Sequence, residues 1–429
     1  MPRLWPTGGL WRHPDFLKLW SAETVSQFGT QISNLAIPLV AILVLEASTF
    51  AVAALATVLF LPFILFTLPA GVWVDRLPRR PILVIGDLGR AVLLATIPIA
   101  YFADALTLEQ LYVVAFLVGV CTVFFDVAYQ SYLPALVERE QLIDGNSKFE
   151  VSRSAAQISG PGFGGLLVEL LTAPYAVLVD ALSFLASGLF ILAIRKPESH
   201  QPVKEPDAEK TSLWSELKEG LRFVLGNRNL RAQAGCTATL NFFFSLGLNA
   251  IGLVYIVRVL DLSPAVIGVV FSIGSIGAMA AAFTARRISA RLGVGRTMLG
   301  AALLSGPALL LVPLAPADSP LPFLVAAIIL VSFGGVVYNV MAVSYRQALC
   351  PPRLQGRMNS VMRFIVWGTI PLGNLAGGAL GTWVGLRETL VIGSIGSGLG
   401  FLWILFSPMR TVREIPTEPL DVGLEPVPA

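Results

Sequence analysis

The stretch Gly71-Val-Trp-Val-Asp-Arg-Leu-Pro-Arg-Arg-Pro81 sets four charges in eleven residues between two apolar runs, AVAALATVLFLPFILFTLPA before it and ILVIGDLGRAVLLATIPIAYFA after it. A bilayer core takes about 20 apolar residues per helix, so each flanking run is long enough to cross one. The charged stretch then reads as a tight turn at the lipid headgroups, with Pro78 fixing one backbone dihedral.

Outward from this turn the pattern repeats along the chain. Twelve runs of suitable length lie near 17–45, 50–74, 81–103, 108–134, 154–172, 174–194, 231–257, 264–285, 297–316, 321–345, 363–384 and 388–407. The residues are 55% hydrophobic and 13% charged, with a mean hydropathy of +0.74, values that exclude an ordinary soluble domain. The first run follows Trp11-Arg12-His13-Pro14 and is too long for a cleaved secretory signal, so it is expected to stay as the first span. Cys121, Cys236 and Cys350 fall in or at the end of apolar runs without CxxC spacing, which points to reduced packing residues, with no metal site and no disulfide scaffold.

Orientation follows from the basic residues. Of the thirty Lys and Arg, only Arg258 and Arg387 fall on one set of connectors; the others lie on the opposite side or at its membrane edge. Both termini are therefore expected in the cytoplasm. The formal charge of +3 is accounted for by this asymmetry, and no basic soluble face for nucleic acid exists.

The chain is also written twice. A shift of 213 residues lays Ser131, Tyr132, Ala135, Leu136, Asn146, Ser147, Gly160, Gly164 and Gly165 on Ser344, Tyr345, Ala348, Leu349, Asn359, Ser360, Gly373, Gly377 and Gly378, nine identities in 35 positions. The expected architecture is an all-α membrane protein with twelve transmembrane helices in two pseudo-symmetric six-helix bundles. Its parts are residues 1–195, a cytoplasmic linker 196–229 with an amphipathic helix near 212–225, residues 230–408, and a disordered tail 409–429.

These features resemble the major facilitator superfamily over nearly the whole length. The opening stretch looks like that family's signature Gly-x-x-x-Asp-Arg-x-x-Arg-Arg, matched by Gly71, Asp75, Arg76, Arg79 and Arg80, with Pro78 where the family usually has Gly. A second copy, Ala290-Arg291-Leu-Gly293-Val-Gly-Arg296, has alanine in place of the acid. Gly160-Pro161-Gly-Phe-Gly164-Gly165 resembles an element of drug and metabolite antiporters, and the linker Glu219-Gly-Leu-Arg-Phe…Asn227-Arg-Asn-Leu-Arg231 is similar to that of macrolide-efflux and enterobactin-export proteins. The resemblance implies that Asp75 latches one conformation by facing a helix N-terminus in the other half. Retention of the loop inside would explain the arginines alone, and leaves the acid unexplained. For helix 5 it implies a seal against proton leak; close helix packing is the plainer reading. Its Gly-x-Gly spacing is no dinucleotide motif, because it sits inside a membrane helix.

Polar residues inside apolar helices mark the candidate path. Glu23, Gln27, Gln31 and Asn34 share one stripe of helix 1, and Thr237, Asn241, Ser245 and Asn249 one stripe of helix 7. Both read as cavity lining, with helix–helix hydrogen bonding as the alternative. Tyr129, Gln130, Tyr338 and Asn339 complete the substrate-cavity candidates.

For proton coupling, a buried carboxyl is needed, since no His lies within a span. Asp126 is the first candidate, because its repeat partner Asn339 is neutral; Glu23 is the second. Asp87, three residues before Arg90, reads as half of an ion pair, and Asp180 has no assigned role.

No Walker loop, HExxH motif or nucleophile elbow occurs, so the chain is expected to be no enzyme and to need no cofactor. The combined expectation is a monomeric, multi-pass protein of the cell membrane. It would export a small amphiphilic organic compound, such as a drug, siderophore or secondary metabolite, by proton antiport through alternating access. A solute importer or a non-transporting sensor on the same fold is the alternative.

Overall fold

The computed structural model describes residues 9–138, 141–196, 213–351 and 354–416. Among these residues the chain is helical and contains no strand. The helices are α1 (Pro14–Leu39), α2 (Thr49–Arg76), α3 (Arg79–Phe102), α4 (Leu108–Leu136), α5 (Leu142–Leu171), α6 (Ala173–Leu192), α7 (Leu213–Gly226), α8 (Arg228–Phe244), α9 (Leu253–Arg258), α10 (Pro264–Leu292), α11 (Val294–Leu314), α12 (Leu321–Leu349), α13 (Gln355–Trp367), α14 (Thr369–Trp383), α15 (Leu386–Leu399) and α16 (Leu402–Leu405). π-helical turns at Val40–Val44 and Ser245–Gly252 continue α1 and α8.

Helix starts follow local chemistry. His13 Nδ1 accepts the Phe16 N–H before α1, Ser48 Oγ that of Ala51 before α2, and Asn227 Oδ1 those of Asn229 and Leu230 before α8. Helix ends are met by cations. Arg80 donates to the carbonyls of Ile191 and Leu192, Lys18 to that of Ala193, and Lys196 to that of Leu136. The last carbonyls of α6 and α4 are thus paired with positive charge, as the helix dipole favours.

Among the described residues, eleven helical segments are long and apolar enough to cross a membrane. The expected run 154–172 is missing from that set. It makes up the second half of α5, where Gln157, Glu169, Pro161 and the glycines Gly160, Gly162, Gly164 and Gly165 lower its hydropathy, and the first half is polar, with Asp144, Lys148, Glu150 and Arg153. Two other helices also begin earlier than their apolar runs: α8 starts at Arg228, and α13 starts at Gln355, eight residues before 363. These first turns carry polar and charged residues, many of them exposed, which hydropathy does not count as part of a span.

The chain divides into two compact units, Met1–Lys204 with Ile256–Ser272, and Glu205–Tyr255 with Ile273–Ala429. In the first unit α1 packs on α5 and α6, and α3 on α4 and α6. In the second, α8 and its π-helical turn pack on α14 and α15, and α11 on α12 and α15. The same pairings recur at repeat-related places, so the duplication is built into the packing. The start of α10 belongs to the first unit. A Cβ on Gly165 of α5 would meet the Pro264 carbonyl oxygen at 2.2 Å and Gly268 Cα at 3.0 Å, and Gly162 N donates to Ser272 Oγ at 2.9 Å. Only glycine permits this approach of two backbones. In the same helix, Gly160 and Gly164 lie against Gln31 and Ile32 of α1.

In the second unit, Phe223 and Val224 of α7 are buried in the core with Met358 and Val361 of α13, and Glu219 pairs with Arg357. Of the expected linker face, Leu213, Trp214 and Leu217 lie outside the described side chains, while Leu221 is exposed. The expected disordered tail 409–429 begins later than expected. Pro408–Thr411 form a 3-10 turn with Met409 buried, and the N–H groups of Val294 and Gly295 donate to the carbonyls of Arg413 and Val412, so this segment is held against the start of α11. Residues from 417 onward lie outside the described residues.

One close contact sets a test. A Cβ on Gly29 of α1 would sit 2.0 Å from Ser183 Oγ and 2.2 Å from Asp180 Oδ1, whereas one on Gly300 meets nothing within 4 Å. Gly29→Ala should therefore destabilise the fold by about 1–3 kcal/mol. Gly300→Ala should be neutral or stabilise by up to about 1 kcal/mol. Thermal unfolding of both variants in one detergent measures the difference.

Candidate functional site

In the first unit the charged side chains converge on Arg90 of α3. Its Nη2 donates to Asp87 Oδ1 at 2.5 Å, and Ser187 of α6 donates to Asp87 Oδ2 at 2.6 Å. The guanidinium carbon lies 4.4 Å from the Phe125 ring centroid and 4.0 Å from that of Phe184. Arg90 is 4% exposed and Asp87 0%, so this is a buried ion pair sealed by two aromatic faces. The positive-side rule had grouped Arg90 with the membrane-edge cations. The structure places it inside the bundle instead, because it answers an acid three residues earlier on its own helix.

Other carboxylates surround the same cation. Glu23 on α1, Asp126 on α4 and Asp180 on α6 are all close enough to feel its charge. Glu23 is buried. Its Oε1 accepts from Gln27 Nε2 at 2.7 Å, while Oε2 has no hydrogen-bond partner. Asp126 is exposed, and its electrostatic neighbours come from three other helices: Glu23, Arg90, and Arg153 of α5. Tyr129, one turn further along α4, is a neighbour of both acids; its hydroxyl is buried and unpaired, and its ring stacks on Phe125 at 6.1 Å. Asp180 is buried and accepts from Ser183 at 3.0 Å, which makes it a packing acid opposite Gly29.

The rest of the helix 1 stripe grades outward. Gln27 and Gln31 are half-buried and Asn34 is exposed; Gln130 on α4 is exposed as well. The signature turn is short. α2 ends at Arg76, α3 begins at Arg79, and Arg80 is the residue that caps α6. Arg76 is exposed, and nothing lies within 4 Å of a Cβ on Gly71. The Asp75 side chain lies outside the described residues.

In the second unit a cavity of ≈ 600 Å³ opens among α8, α11, α12, α13 and α15. Of the expected lining residues, Asn241, Tyr338 and Asn339 are on its wall. Thr237 bonds Tyr338 across it at 2.9 Å, and Asn241 Nδ2 donates to the Val366 carbonyl at 3.0 Å. Ser245 and Asn249 are not on this wall. Ser245 is buried against Gly373, and Asn249 donates to Asn374 of α14 at 3.0 Å. The helix 7 stripe thus divides: Ser245 keeps the α-helical bond to Asn241 but lies against α14, and the π-helical turn at Ser245–Gly252 carries Asn249 out of that register onto Asn374. Arg346, Arg363 and Asn359 also line the cavity and were not among the expected residues. Arg346 sits in the last turn of α12 and Arg363 two turns into α13, in segments that hydropathy assigns to a connector and its edge.

Two helix-repeat units of this kind, with buried charge and a polar-walled cavity inside apolar bundles, define a membrane transporter fold. Residues 9–427 match the transmembrane secretion effector family, and the chain belongs to that family of the major facilitator superfamily. It is a multi-pass membrane transporter and no enzyme. Over 368 residues it is 28% identical to the multidrug efflux pump Tap of Mycolicibacterium fortuitum, covering 84% of this chain and 87% of that one. It is 26% identical over 237 residues to macrolide efflux protein A of Streptococcus pyogenes, 55% of this chain and 57% of that one. The fold is shared with a bacterial homologue of the iron transporter ferroportin, with a TM-score of 0.75 at 15% identity over 93% of this chain and 99% of that one.

The buried pair can be tested directly. Asp87→Asn or Arg90→Gln alone should each destabilise the protein by about 3–5 kcal/mol, since either leaves an unmatched buried charge. The double variant should recover part of that loss. A double-mutant cycle on thermal stability reads the coupling.

Proposed function

We propose that this chain exports a small amphiphilic organic compound in exchange for protons, by alternating access. The observation that carries the reading is the set of carboxylates about Arg90. Among the described residues one buried guanidinium is ion-paired with Asp87 and lies within electrostatic range of Glu23, Asp126 and Asp180. Charge held in a low-dielectric bundle is costly, so a proton taken up by the set relieves it and one released restores it. Glu23 and Asp126 are the groups suited to exchange: Glu23 has an oxygen with no partner, and Asp126 is exposed rather than packed away in the bundle. Tyr129 stands near both with its own hydroxyl unpaired.

The efflux direction is supported by the names of the relatives, multidrug efflux pump Tap and macrolide efflux protein A. A bulky, partly apolar substrate is supported by the cavity of ≈ 600 Å³, within the size range of small-molecule sites. One proton moving down 100 mV gives about 2.3 kcal/mol, enough for roughly fifty-fold accumulation. The protein acts as a monomer with both termini cytoplasmic, and Asp75 latches one conformation.

Inside-out vesicles carrying a pH gradient and an amphiphilic dye test the reading. Asp126→Asn and Glu23→Gln should abolish gradient-driven dye uptake while leaving dye binding to purified protein within about threefold of wild type. Uptake unchanged in both variants would remove these two acids from the proton path. Asp75→Asn should slow uptake several-fold without altering thermal stability; wild-type turnover in that variant would eliminate the latch.

A further inference from the structure

We propose that the cavity of the second unit binds the anionic group of a planar aromatic substrate between Arg346 and Arg363. The inference deepens the export reading above and rests on it.

The two units are alike in packing and opposite in charge. From Arg228 to Arg387 the only acids are Asp261 and Asp318, and both lie between helices. No acid lies on the helices that wall the cavity, apart from Glu388 in the first turn of α15. At repeat-related positions, Asp126 of the first unit is answered by Asn339, and Glu150 by Arg363. At these two positions the second unit carries an amide and a cation where the first carries carboxylates.

Within the cavity, neither arginine has an ion-pair partner among the described residues. Arg346 Nε is buried and donates to nothing, and the charged or polar neighbours that act on Arg346 are Tyr338 and Arg363, a second cation. Two guanidinium groups facing the same space without an acid repel each other until an anion enters. A carboxylate or phosphate can accept from both in the forked geometry that guanidinium offers. Arg363 lies 4.9 Å from the Trp367 ring centroid, which makes a flat cation–π surface against which a planar ring can lie. Further along the same wall, Leu240, Phe244, Leu309 and Met362 provide the apolar portion. The chemistry selected is an anionic head on an apolar body. An organic acid and an anionic phospholipid share it, and enclosure by five helices in ≈ 600 Å³ favours the compact organic acid.

The test uses purified full-length protein in neutral maltoside micelles and two planar dyes, fluorescein as the carboxylate and rhodamine 6G as the cation, read by anisotropy. Fluorescein should bind, and Arg346→Gln with Arg363→Gln should weaken it about tenfold or more. The corresponding Lys pair should retain binding within about threefold, and rhodamine 6G should respond to neither change. Asn359→Asp places a carboxylate on the same wall with both arginines intact. It should also expel fluorescein, which keeps the test open should the Gln pair fold poorly. Fluorescein affinity unchanged by these variants, or equal weakening of both dyes, overturns the proposal. Displacement of fluorescein by dioleoylphosphatidylglycerol at concentrations where dioleoylphosphatidylcholine has no effect assigns the site to a lipid headgroup and overturns it as well. Gradient-driven export is read separately in vesicles. Wild-type protein that binds fluorescein but moves no dye defeats the export reading alone; intact export with charge-blind binding defeats this inference alone.

Discussion

The first unit is organised around an ion pair in a place where unpaired charge is prohibitive. Asp87 and Arg90 are one helical turn apart on α3, both buried, and neither can be removed without stranding the other. Their partners fix the neighbours: Ser187 ties α6 to α3, Phe125 brings in α4, and Phe184 closes the other face. α1 completes the packing only because Gly29 leaves room for Asp180 and Ser183. A structural pair of this kind also supplies a fixed positive potential. The remaining acids sit in its field, so the element that holds the helices together also conditions the groups proposed to exchange protons.

Duplication gave two units the same helix pairings, yet their interiors have diverged. The first concentrates carboxylates; the second carries amides, hydroxyls and two arginines around its cavity. A packing scheme depends on small residues at helix crossings, such as Gly160, Gly164 and Gly165 and the repeat counterparts Gly373 and Gly377. Those positions must stay small for steric reasons. Polar positions facing a recess bear no such constraint, which leaves the electrostatics of each half free to specialise.

The basic residues that bias a membrane protein's orientation have a second use here. Arg80, Lys18 and Lys196 spend their charge on the carbonyl ends of α6 and α4. Arg258 and Arg387, on the opposite connectors, do likewise with the carbonyls of Ala47 and Pro313. A helix end at a membrane surface exposes unpaired carbonyls, and a nearby cation satisfies them while holding its loop at the headgroups.

Hydropathy alone determined that the chain is a helical membrane protein, because lipid admits no other way to pair the backbone over so many long apolar runs. The shift of 213 residues and the signature at Gly71–Arg80 were equally legible, since turns and helix crossings require particular residue types at fixed spacing. The candidate site was only half legible. Glu23, Asp126 and Tyr129 stand out as polar residues in apolar runs, and their convergence on Arg90 is a matter of tertiary structure. Arg346 and Arg363 were hidden because hydropathy reports contact with lipid, and helix turns that face protein or a cavity look like loop. The division of the helix 7 stripe was decided by how α14 packs against it, with Ser245 set against Gly373 and Asn249 bonded to Asn374. Spacing along one helix says which residues share a face; which face meets a cavity is settled by the helices around it.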